Sequence, residues 1–483
     1  MSVTAKNDRK VCRAYFGKSY QHPFNKPDDF GGADIKFPSK KASIYYGWVI
    51  ALLGCLTVLG AHGFGRFAYP LLLPYMQRDL NLNYFQMGLL ATGNFIGYLI
   101  MVVAGGVLAS KYGPRIVISA SAVLMGASMI WTGLSSQFEH IFVARMLTGL
   151  GNGGAYLPSV VLPSIWFPSE KRGRITGMVV SSASLGFALS SVFVTSVLSA
   201  YGMTGWRYCW HYFGVTLLVI AAADYLFIRN KPESLVETER AEGSSKGESD
   251  AYSPFKWNLV YRNRNVWFVG LLFLAFGLAY SIYLNFFVAY LQALMWPENI
   301  IALIWFMIGA LGILSGFAWG WLSDVLGRKF SIFMAFSTLF TAFLLSTISP
   351  ITHGLYCSAI LFGISMSSIP TVAVVTAGEY VAPTLRSTAA GFVTSLFGVG
   401  QLIGPALGGY IIDSTKVFSY SFLIAAICSF SGLIGALKLK NPKKSENMGI
   451  KILLYFYPYF LNKLERLHGC TKRFYSATSI ETV

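Results

Sequence analysis

Two ten-residue stretches of the chain are alike, and they decide how its fold is interpreted. Residues 106–115 read GVLASKYGPR, and residues 320–329 read GWLSDVLGRK. Their first glycines are 214 positions apart (320 less 106), and so are their second glycines, at 113 and 327. Five further pairs share this offset: Gly63 with Gly277, Gly149 with Gly363, Arg172 with Arg386, Gly177 with Gly391, and Gly186 with Gly400. Matches spread this widely along the chain predict a tandem duplication.

The chain is strongly apolar, with 54% hydrophobic and 12% charged residues among its 483. Soluble domains carry about 25% charged residues. Here twelve apolar runs separate the charged segments, and runs of about 20 residues span a bilayer as helices. The runs are 45–73, 84–110, 115–134, 140–165, 174–199, 207–228, 265–292, 299–323, 329–348, 352–378, 387–412 and 417–438. Because a bilayer offers no water to the backbone and strand-like alternation is absent, the sequence predicts an all-α integral membrane protein with twelve transmembrane helices.

The duplication divides these helices into two six-helix bundles, 45–228 and 265–438. A polar N-terminal tail, 1–44, precedes them, and a polar linker, 229–264, joins them. We expect both segments to be flexible and cytosolic, because they lack the apolar content of a packed core. The C-terminal tail, 439–483, contains an apolar stretch that suits a helix on the membrane surface.

The basic residues predict the orientation of the chain. All but five of its 38 lysines and arginines lie in segments that twelve crossings place on one side of the membrane. The five are Arg66, Arg78, Arg145, Arg207 and Lys416. Because such an excess is typical of cytoplasmic loops, we expect a multi-pass protein of the plasma membrane with both termini cytoplasmic. The same asymmetry explains the net charge of +17 without a nucleic-acid partner.

Signals for several other functional classes are absent from the sequence. The six cysteines are scattered without CxxC spacing, so we expect no metal site, no disulfide framework and no cofactor. No short apolar segment with a small-residue cleavage site opens the chain, so we expect no signal peptide. No GxSxG, HExxH or Walker pattern occurs, and no paired carboxylates lie in mid-span. The sequence therefore predicts a protein that is not an enzyme.

The stretches 106–115 and 320–329 resemble a loop of the major facilitator superfamily, in which Gly, Leu, Asp and Gly precede a basic pair. The second copy is close, whereas the first has Ser110 at the acidic position and Pro114 at a basic one. Two other patterns look like the fourth and eleventh helices of that family: Arg145, Gly149, Gly151 and Gly153, and then Gly400, Gly404, Pro405, Gly408 and Gly409. The resemblance covers about residues 45–438.

A finer resemblance lies in residues 63–76 and 88–99, which are similar to the bacterial YbfB/YjiJ-like group and more distantly to the oxalate/formate antiporter group. The superfamily resemblance implies secondary active transport of a small solute by alternating access, as symport or antiport. It also implies a substrate site between the two halves near the midplane of the bilayer. One chain contains such a site, so a monomer suffices.

In the family, the resembling loop controls the switch between inward-open and outward-open states. We therefore expect a latch in which glycines let helices approach closely and charges pair across helix ends. The expected pairs are Asp324 with Arg328 and Glu379 with Arg386; alternatively, these charges only anchor short loops. The candidate latch residues are Gly106, Gly113, Arg115, Gly320, Asp324, Gly327, Arg328, Lys329, Glu379 and Arg386.

Two arginines, Arg66 and Arg145, fall inside predicted spans, where an ionisable group is costly and is a functional candidate by default. The arginine fork suits a carboxylate or a phosphate, and no Asp or Glu lies near the middle of a span. The sequence therefore predicts a small organic anion, such as a carboxylate, as the substrate. Helical spacing and the repeat add candidate neighbours: His62, Tyr69, Asn94, Tyr98, Asn152, Tyr156, Tyr280, Tyr283 and Asn285.

Each charged candidate has an alternative role. Arg66 can reach lipid headgroups from the outer half of its span, and Arg145 can hold helix carbonyls without touching substrate. His62 is either the proton carrier or an interface histidine, because exchange of one anion for another needs no titratable group. A proton-coupled drug or cation exporter of the same fold is the alternative function, although the missing mid-span carboxylate argues against it. A non-transporting sensor on a transporter scaffold is the second alternative.

Overall fold

The computed structural model describes residues 40–232, 257–348 and 352–439. Most of the predicted N-terminal tail, the centre of the linker and the C-terminal tail with its surface helix lie outside the described residues. The expectations for those segments therefore stay predictions.

The described stretches are helical almost throughout, and no strand occurs in them. The first half contains α1 (Lys40–Val58), a π-helix (Leu59–Phe67), α2 (Tyr69–Leu80), α3 (Tyr84–Tyr112), α4 (Pro114–Leu134), α5 (Phe138–Trp166), α6 (Ser169–Tyr201), a 3₁₀ turn (Gly202–Thr204) and α7 (Gly205–Phe227). The second half contains α8 (Trp257–Tyr261), α9 (Arg264–Ala293), α10 (Glu298–Leu326), α11 (Arg328–Ile348), α12 (Thr352–Ser365), α13 (Ser368–Glu379), a 3₁₀ turn (Pro383–Leu385), α14 (Arg386–Thr415) and α15 (Phe418–Lys438).

Ten segments of the described chain are long and apolar enough to cross a membrane. One of them, Lys171–Phe227, includes most of α6 and all of α7, and α5 is not among the ten. The prediction of an all-α membrane protein is confirmed. Counting α6 and α7 separately and adding α5 gives twelve long helical segments in the described chain. That all twelve cross the membrane stays a prediction.

The duplication is visible in the packing of the described helices. In the first half Gly149 of α5 packs directly on the Asn94 carbonyl of α3, and in the second half Gly363 packs on Ile308, the residue offset from Asn94 by 214 (308 less 94). The loop glycines are equally matched, with φ of 85° at Gly113 and 87° at Gly327. This φ is strained for any residue with a side chain, so both turns require glycine.

The first predicted span departs from a regular helix, because residues 59–67 form a π-helix. Its i→i+5 pattern is visible where the Ala68 N–H donates to the Gly63 carbonyl at 2.9 Å. A Cβ atom on Gly63 would lie 2.5 Å from Cα of Gly186 in α6, so the backbones touch here. The offset positions of the second half lie in the unbroken helix α9. A π-helix present in one half only often marks a functional site.

The tenth predicted span, 352–378, is also interrupted, between α12 and α13. Pro370 lies one turn beyond the break and has no N–H for the Met366 carbonyl. The Ile364 carbonyl next to the break accepts hydrogen bonds from Ser315 Oγ at 2.6 Å and Trp319 Nε1 at 2.9 Å, both on α10. Side chains of α10 thus bond a carbonyl group at the interruption of the span.

The two ends of the bundle differ in how closely the halves approach. At the distal end, where α2 meets α3, the Asp413 carboxylate of α14 accepts hydrogen bonds from the N–H groups of Tyr84 (3.1 Å) and Phe85 (2.7 Å). The hydroxyl of Tyr75 in α2 donates to Glu298 at the start of α10. A carboxylate at a helix N-terminus is stabilised by the helix dipole. These contacts close the distal end.

The opposite end, called the latch end, carries Gly113 and Gly327. Within the described chain, Cβ atoms built on Gly106, Gly177 and Gly391 would meet nothing within 4 Å. The expectation that Gly106 brings helices together is therefore not met in this structure. A Cβ on Gly320 would meet only Thr371, at 3.6 Å. At these positions the helices of the latch end therefore face open space rather than a packed neighbour.

Candidate functional site

The π-helix places Arg66 against aromatic rings in the interior. Its guanidinium carbon lies 4.5 Å from the ring centroid of Phe95 on α3, 5.8 Å from that of Phe67 and 5.9 Å from that of Tyr98. Among the described residues Arg66 forms no ion pair, and its Nε is buried without a hydrogen-bond partner. Ring faces attract the cation but leave its N–H donors unused. The side chain is therefore not directed to lipid headgroups.

Next to Arg66, the same π-helix holds His62. The imidazole lies 4.3 Å from the Tyr156 ring and meets the Tyr98 ring edge-on at 6.1 Å, measured between centroids. Its Nδ1 is buried without a partner in the described chain. The Tyr98 ring is also the one that lies 5.9 Å from the Arg66 guanidinium carbon. The structure therefore brings four predicted residues together: His62, Arg66, Tyr98 and Tyr156.

In the second half, Tyr280 lies among aromatic rings. Its ring packs against Phe276 at 5.4 Å, Phe362 at 5.6 Å and Phe397 at 6.4 Å. Tyr280 is the repeat partner of Arg66 at the offset of 214. The position that corresponds to Arg66 in the second half thus also has an aromatic environment.

The second intramembrane arginine, Arg145, has a different environment. Its Nη1 donates to the Gly65 carbonyl of the π-helix at 3.0 Å, and its guanidinium lies between the rings of Tyr69 (4.6 Å) and Trp210 (4.9 Å). Two turns further along α5, Asn152 Nδ2 donates to the Ala61 carbonyl at 2.7 Å. Both side chains donate hydrogen bonds to carbonyl groups of the π-helix. The position of Arg145 therefore fits its alternative role, that of holding helix carbonyls.

Asn94 belongs to the same clamp, because its Nδ2 donates to the Arg145 carbonyl at 3.1 Å. The three residues join α3, α5 and the π-helix with buried hydrogen bonds. Buried bonds of this kind are costly to break singly, since one partner stays unsatisfied. The clamp fixes the backbone that presents His62 and Arg66.

Three other predicted site residues are engaged elsewhere. The Tyr69 hydroxyl donates to the Met87 carbonyl at 2.7 Å, and Asn285 Nδ2 donates to the Ser281 carbonyl of its own helix at 2.8 Å. The Tyr283 hydroxyl pairs with Ser358 Oγ at 2.8 Å inside the second half. The structure does not bring them to Arg66. For Tyr69 the reason is the π-helix, which breaks the α-helical spacing used to place it beside Arg66.

An aromatic cluster that the sequence reasoning missed borders the site. The indole nitrogen of Trp305 on α10 donates to the Phe67 carbonyl at 3.2 Å. The Phe187 ring lies 4.8 Å from the rings of both Phe67 and Trp305. The three side chains come from the π-helix, α6 and α10, so the cluster joins the halves beside Arg66.

The second-half latch is formed around Arg328. Its Nη1 contacts Asp324 Oδ1 at 2.6 Å, as predicted, and Ser323 Oγ at 2.5 Å. Its Nη2 contacts Glu379 Oε1 at 3.0 Å. The predicted pairing of Glu379 with Arg386 is wrong, because the Glu379 carboxylate forms its ion pair with Arg328. Arg386 instead packs its side-chain carbons near Gly378 and forms no ion pair among the described residues.

The first-half loop is anchored without a carboxylate. Arg115 Nε donates to the Tyr225 carbonyl at 2.6 Å, and the Arg115 backbone N–H donates to Asn230 Oδ1 at 2.9 Å. Ser110, at the acidic position, donates to the Val107 carbonyl of its own helix. An amide and a carbonyl thus replace the missing charge. Lys329, the remaining latch candidate, forms no ion pair in the described chain.

The chain is similar in sequence to several known transporters. The hexuronate transporter of Bacillus subtilis (strain 168) is 25% identical over 400 residues, which cover 78% of this chain and 91% of that protein. The probable sulfoacetate transporter SauU of Cupriavidus necator is 24% identical over 391 residues, covering 76% and 88%. The probable L-galactonate transporter of Escherichia coli (strain K12) is 24% identical over 379 residues, covering 74% and 82%.

Solved structures share the fold at low sequence identity. A D-xylose-proton symporter matches with a TM-score of 0.65 at 15% identity, over 84% of this chain and all of that one (100%). A bacterial homologue of the human lysosomal transporter Spinster, in an inward-facing and unoccupied conformation, matches with a TM-score of 0.63 at 15% identity, over 85% and 99%.

A sequence profile described as the Major Facilitator Superfamily matches residues 55–357 and 311–451. These matches span well over half of the chain, including both copies of the repeat. The protein belongs to the Major Facilitator Superfamily.

Proposed function

We propose that the protein is a secondary transporter of small organic anions, carboxylates among them, and that Arg66 binds the anion. The observation that carries the proposal is a guanidinium at the junction of the halves with a buried Nε and no counterion among the described residues. An arginine fork binds a carboxylate through two charge-assisted hydrogen bonds. The similar proteins named above are transporters of hexuronate, sulfoacetate and L-galactonate, all organic anions.

The geometry disfavours the cation-exporter alternative. An uncompensated arginine repels a cationic substrate from the cluster. Within the described helices the fully buried carboxylate is that of Asp224, which lies in the last turn of α7 and accepts a hydrogen bond from Thr57 Oγ1 at 2.7 Å. That position is not among the rings around Arg66, so the site lacks an acid for pairing with a cation.

The closed distal end and the open latch end support alternating access between the bundles 45–228 and 265–438. The structure then corresponds to the state that loads and releases substrate at the latch end. The distribution of basic residues supports a cytoplasmic latch end in the plasma membrane. Transport is coupled either to protons through His62 or to exchange for a second anion. Membership of the YbfB/YjiJ-like group is a further part of this proposal.

A thermal-shift screen on detergent-purified protein tests the anion site. The panel contains mono- and dicarboxylates, phosphates, sugars and lipophilic cations. A ligand of the folded state adds RT ln(1 + [L]/Kd), about 2.7 kcal/mol at a hundredfold excess over Kd. We expect stabilisation by carboxylates that is lost in Arg66→Gln and kept in Arg174→Gln, which changes an exposed arginine of α6. Stabilisation by cations alone contradicts the proposal.

A further inference from the structure

One buried polar side chain has no role in the site described so far. Gln401 of α14 is 1% exposed, and neither its Nε2 nor its Oε1 has a hydrogen-bond partner in the described chain. Folded proteins pair nearly all buried polar groups, so an amide with both ends unpaired requires an explanation. One explanation is that the amide bonds a ligand that is not part of the chain. The position of Gln401 in the bundle shows whether it lies beside the proposed anion site.

The neighbours of Gln401 along α14 show which way it faces. Gly400 and Gly404 pack on α9, at the Leu278 backbone. On another face of the helix, Gly398 packs on a leucine of α3, and the Leu402 carbonyl accepts a hydrogen bond from α3. At 100° per residue, position 401 falls between these two faces. Its side chain therefore enters the space bounded by α3 and α9.

The same contacts give the depth of Gln401 in the bundle. On α3, Thr92 meets residue 402 through a 2.8 Å hydrogen bond, and Leu99 meets residue 398. Phe95 lies between these two contacts and so lies at the level of position 401. Phe95 is the ring that Arg66 covers at 4.5 Å. Gln401 and Arg66 therefore occupy one level.

The contacts with α9 give the same level independently. A Cβ atom built on Gly277 would lie 3.3 Å from the backbone nitrogen of Gln401. Tyr280 follows Gly277 by three residues on α9, about one turn. Gly277 and Tyr280 are the repeat partners of Gly63 and Arg66, so they lie at the corresponding depth of the second half. Two neighbouring helices thus place the unpaired amide beside the proposed anion site.

We propose that Gln401 is a substrate-binding residue that recognises a hydroxyl group on the anion held by Arg66, so that the preferred substrates are hydroxylated organic acids. The inference rests on the proposed anion transport. An amide donates and accepts hydrogen bonds, so it matches a hydroxyl, whereas a guanidinium only donates. An acid without hydroxyls leaves the buried amide unpaired, and sites built for a hydroxyl discriminate strongly against analogues that lack it.

The test measures dissociation constants of gluconate and hexanoate, two six-carbon acids with and without hydroxyls, on the purified full-length protein. We expect wild-type protein to bind gluconate at least tenfold more tightly. Gln401→Met keeps the side-chain length but removes the amide, and we expect it to weaken gluconate about tenfold and leave hexanoate unchanged. Gln292→Met is the matched control and should preserve the preference, because Gln292 lies away from Arg66. It lines a small crevice at the distal end, called the distal crevice, together with Leu71, Tyr75 and Glu298.

The outcomes separate the two proposals. If Arg66→Gln abolishes binding of both acids while Gln401→Met keeps the wild-type preference, the role of Gln401 is overturned and anion binding stands. Equal affinity of the wild-type protein for both acids also overturns it, and this measurement needs no variant. If the wild-type protein binds neither acid, both the proposed anion site and the role of Gln401 are overturned.

Discussion

Trp305 of α10 donates its indole N–H to the carbonyl oxygen of Phe67, the residue that follows Arg66, at 3.2 Å. This bond links the second half of the protein directly to the π-helix that carries the proposed anion ligand. Phe187 of α6 packs against both rings and excludes water from the contact. If the distal end opens during transport, we expect α10 to separate from the π-helix, which would couple opening there to the geometry of Arg66.

Trp305→Phe should shift the protein towards a distally open state. The substitution keeps an aromatic ring but removes the hydrogen bond, worth about 1 kcal/mol, or roughly a fivefold change in the equilibrium. Maleimide labelling of a cysteine placed at Leu71, which lines the distal crevice, should become faster. Trp319→Phe is the control, since Trp319 donates to Ile364 within the second half. Equal labelling in all three proteins would contradict the coupling.

The clamp on the π-helix predicts an indirect effect on binding. Asn152→Leu removes the donor to the Ala61 carbonyl, so the backbone that presents Arg66 loses a buried restraint. We expect the free energy of unfolding to fall by about 1–3 kcal/mol and the affinity for carboxylates to fall, although Asn152 does not contact the anion. Denaturation and titration measure the two effects. Thr148→Val, on the same helix, should affect stability alone, because Thr148 bonds Ser128 and not the π-helix. Unchanged affinity in Asn152→Leu would remove the positioning role.

The revised latch pairing can be tested with two arginines. Arg328→Gln leaves the partly buried carboxylate of Glu379 and the exposed carboxylate of Asp324 without their cation, and we expect it to lower both thermal stability and transport rate. Arg386→Gln should have a smaller effect, because Arg386 forms no ion pair among the described residues. Melting temperature and uptake rate in proteoliposomes provide the comparison. A larger effect at Arg386 would restore the pairing expected from the sequence.

Two glycines, one in the π-helix that packs on α6 and one within α6, should respond differently to substitution by alanine. Gly63→Ala places a Cβ 2.5 Å from the Gly186 backbone, so we expect destabilisation of about 1–3 kcal/mol. Gly177→Ala meets nothing within 4 Å in the described chain, so stability should be unchanged or higher by about 0.5–1 kcal/mol. If the latch end closes during transport, Gly177→Ala should still slow uptake. Loss of stability in Gly177→Ala would show that this end is closed in the resting protein.

Much of the fold follows from the sequence because burial in a bilayer leaves a strong, simple signal. The apolar runs, the repeat offset and the turns at Gly113 and Gly327 all reappear in the structure. The π-helix could not be predicted from the sequence, because the hydropathy pattern does not distinguish i→i+4 from i→i+5 backbone hydrogen bonds. The glycines in this segment are where other helices approach it closely: Gly60 meets α7, Gly63 meets α6 and Gly65 meets α4.

The candidate site was predictable in its charged part. His62 and Arg66 lie on the same π-helix, and Tyr156, predicted as a neighbour, meets His62 from α5 with ring centroids 4.3 Å apart. Gln401 was not predicted, because the candidate neighbours came from helical spacing and the repeat, and neither relation led to α14. Trp305 was missed because its bond joins residues 238 positions apart, and no periodic pattern encodes such a contact.

The central claim is that Arg66 binds the anion that the protein moves. The most direct measurement is uptake of labelled gluconate into liposomes containing wild-type protein, Arg66→Lys or Arg66→Gln, with Arg174→Gln as control. We predict loss of uptake in Arg66→Gln, partial uptake in Arg66→Lys, which keeps the charge without the fork, and full uptake in the control. Uptake by Arg66→Gln at the wild-type rate and with unchanged apparent affinity would contradict the account.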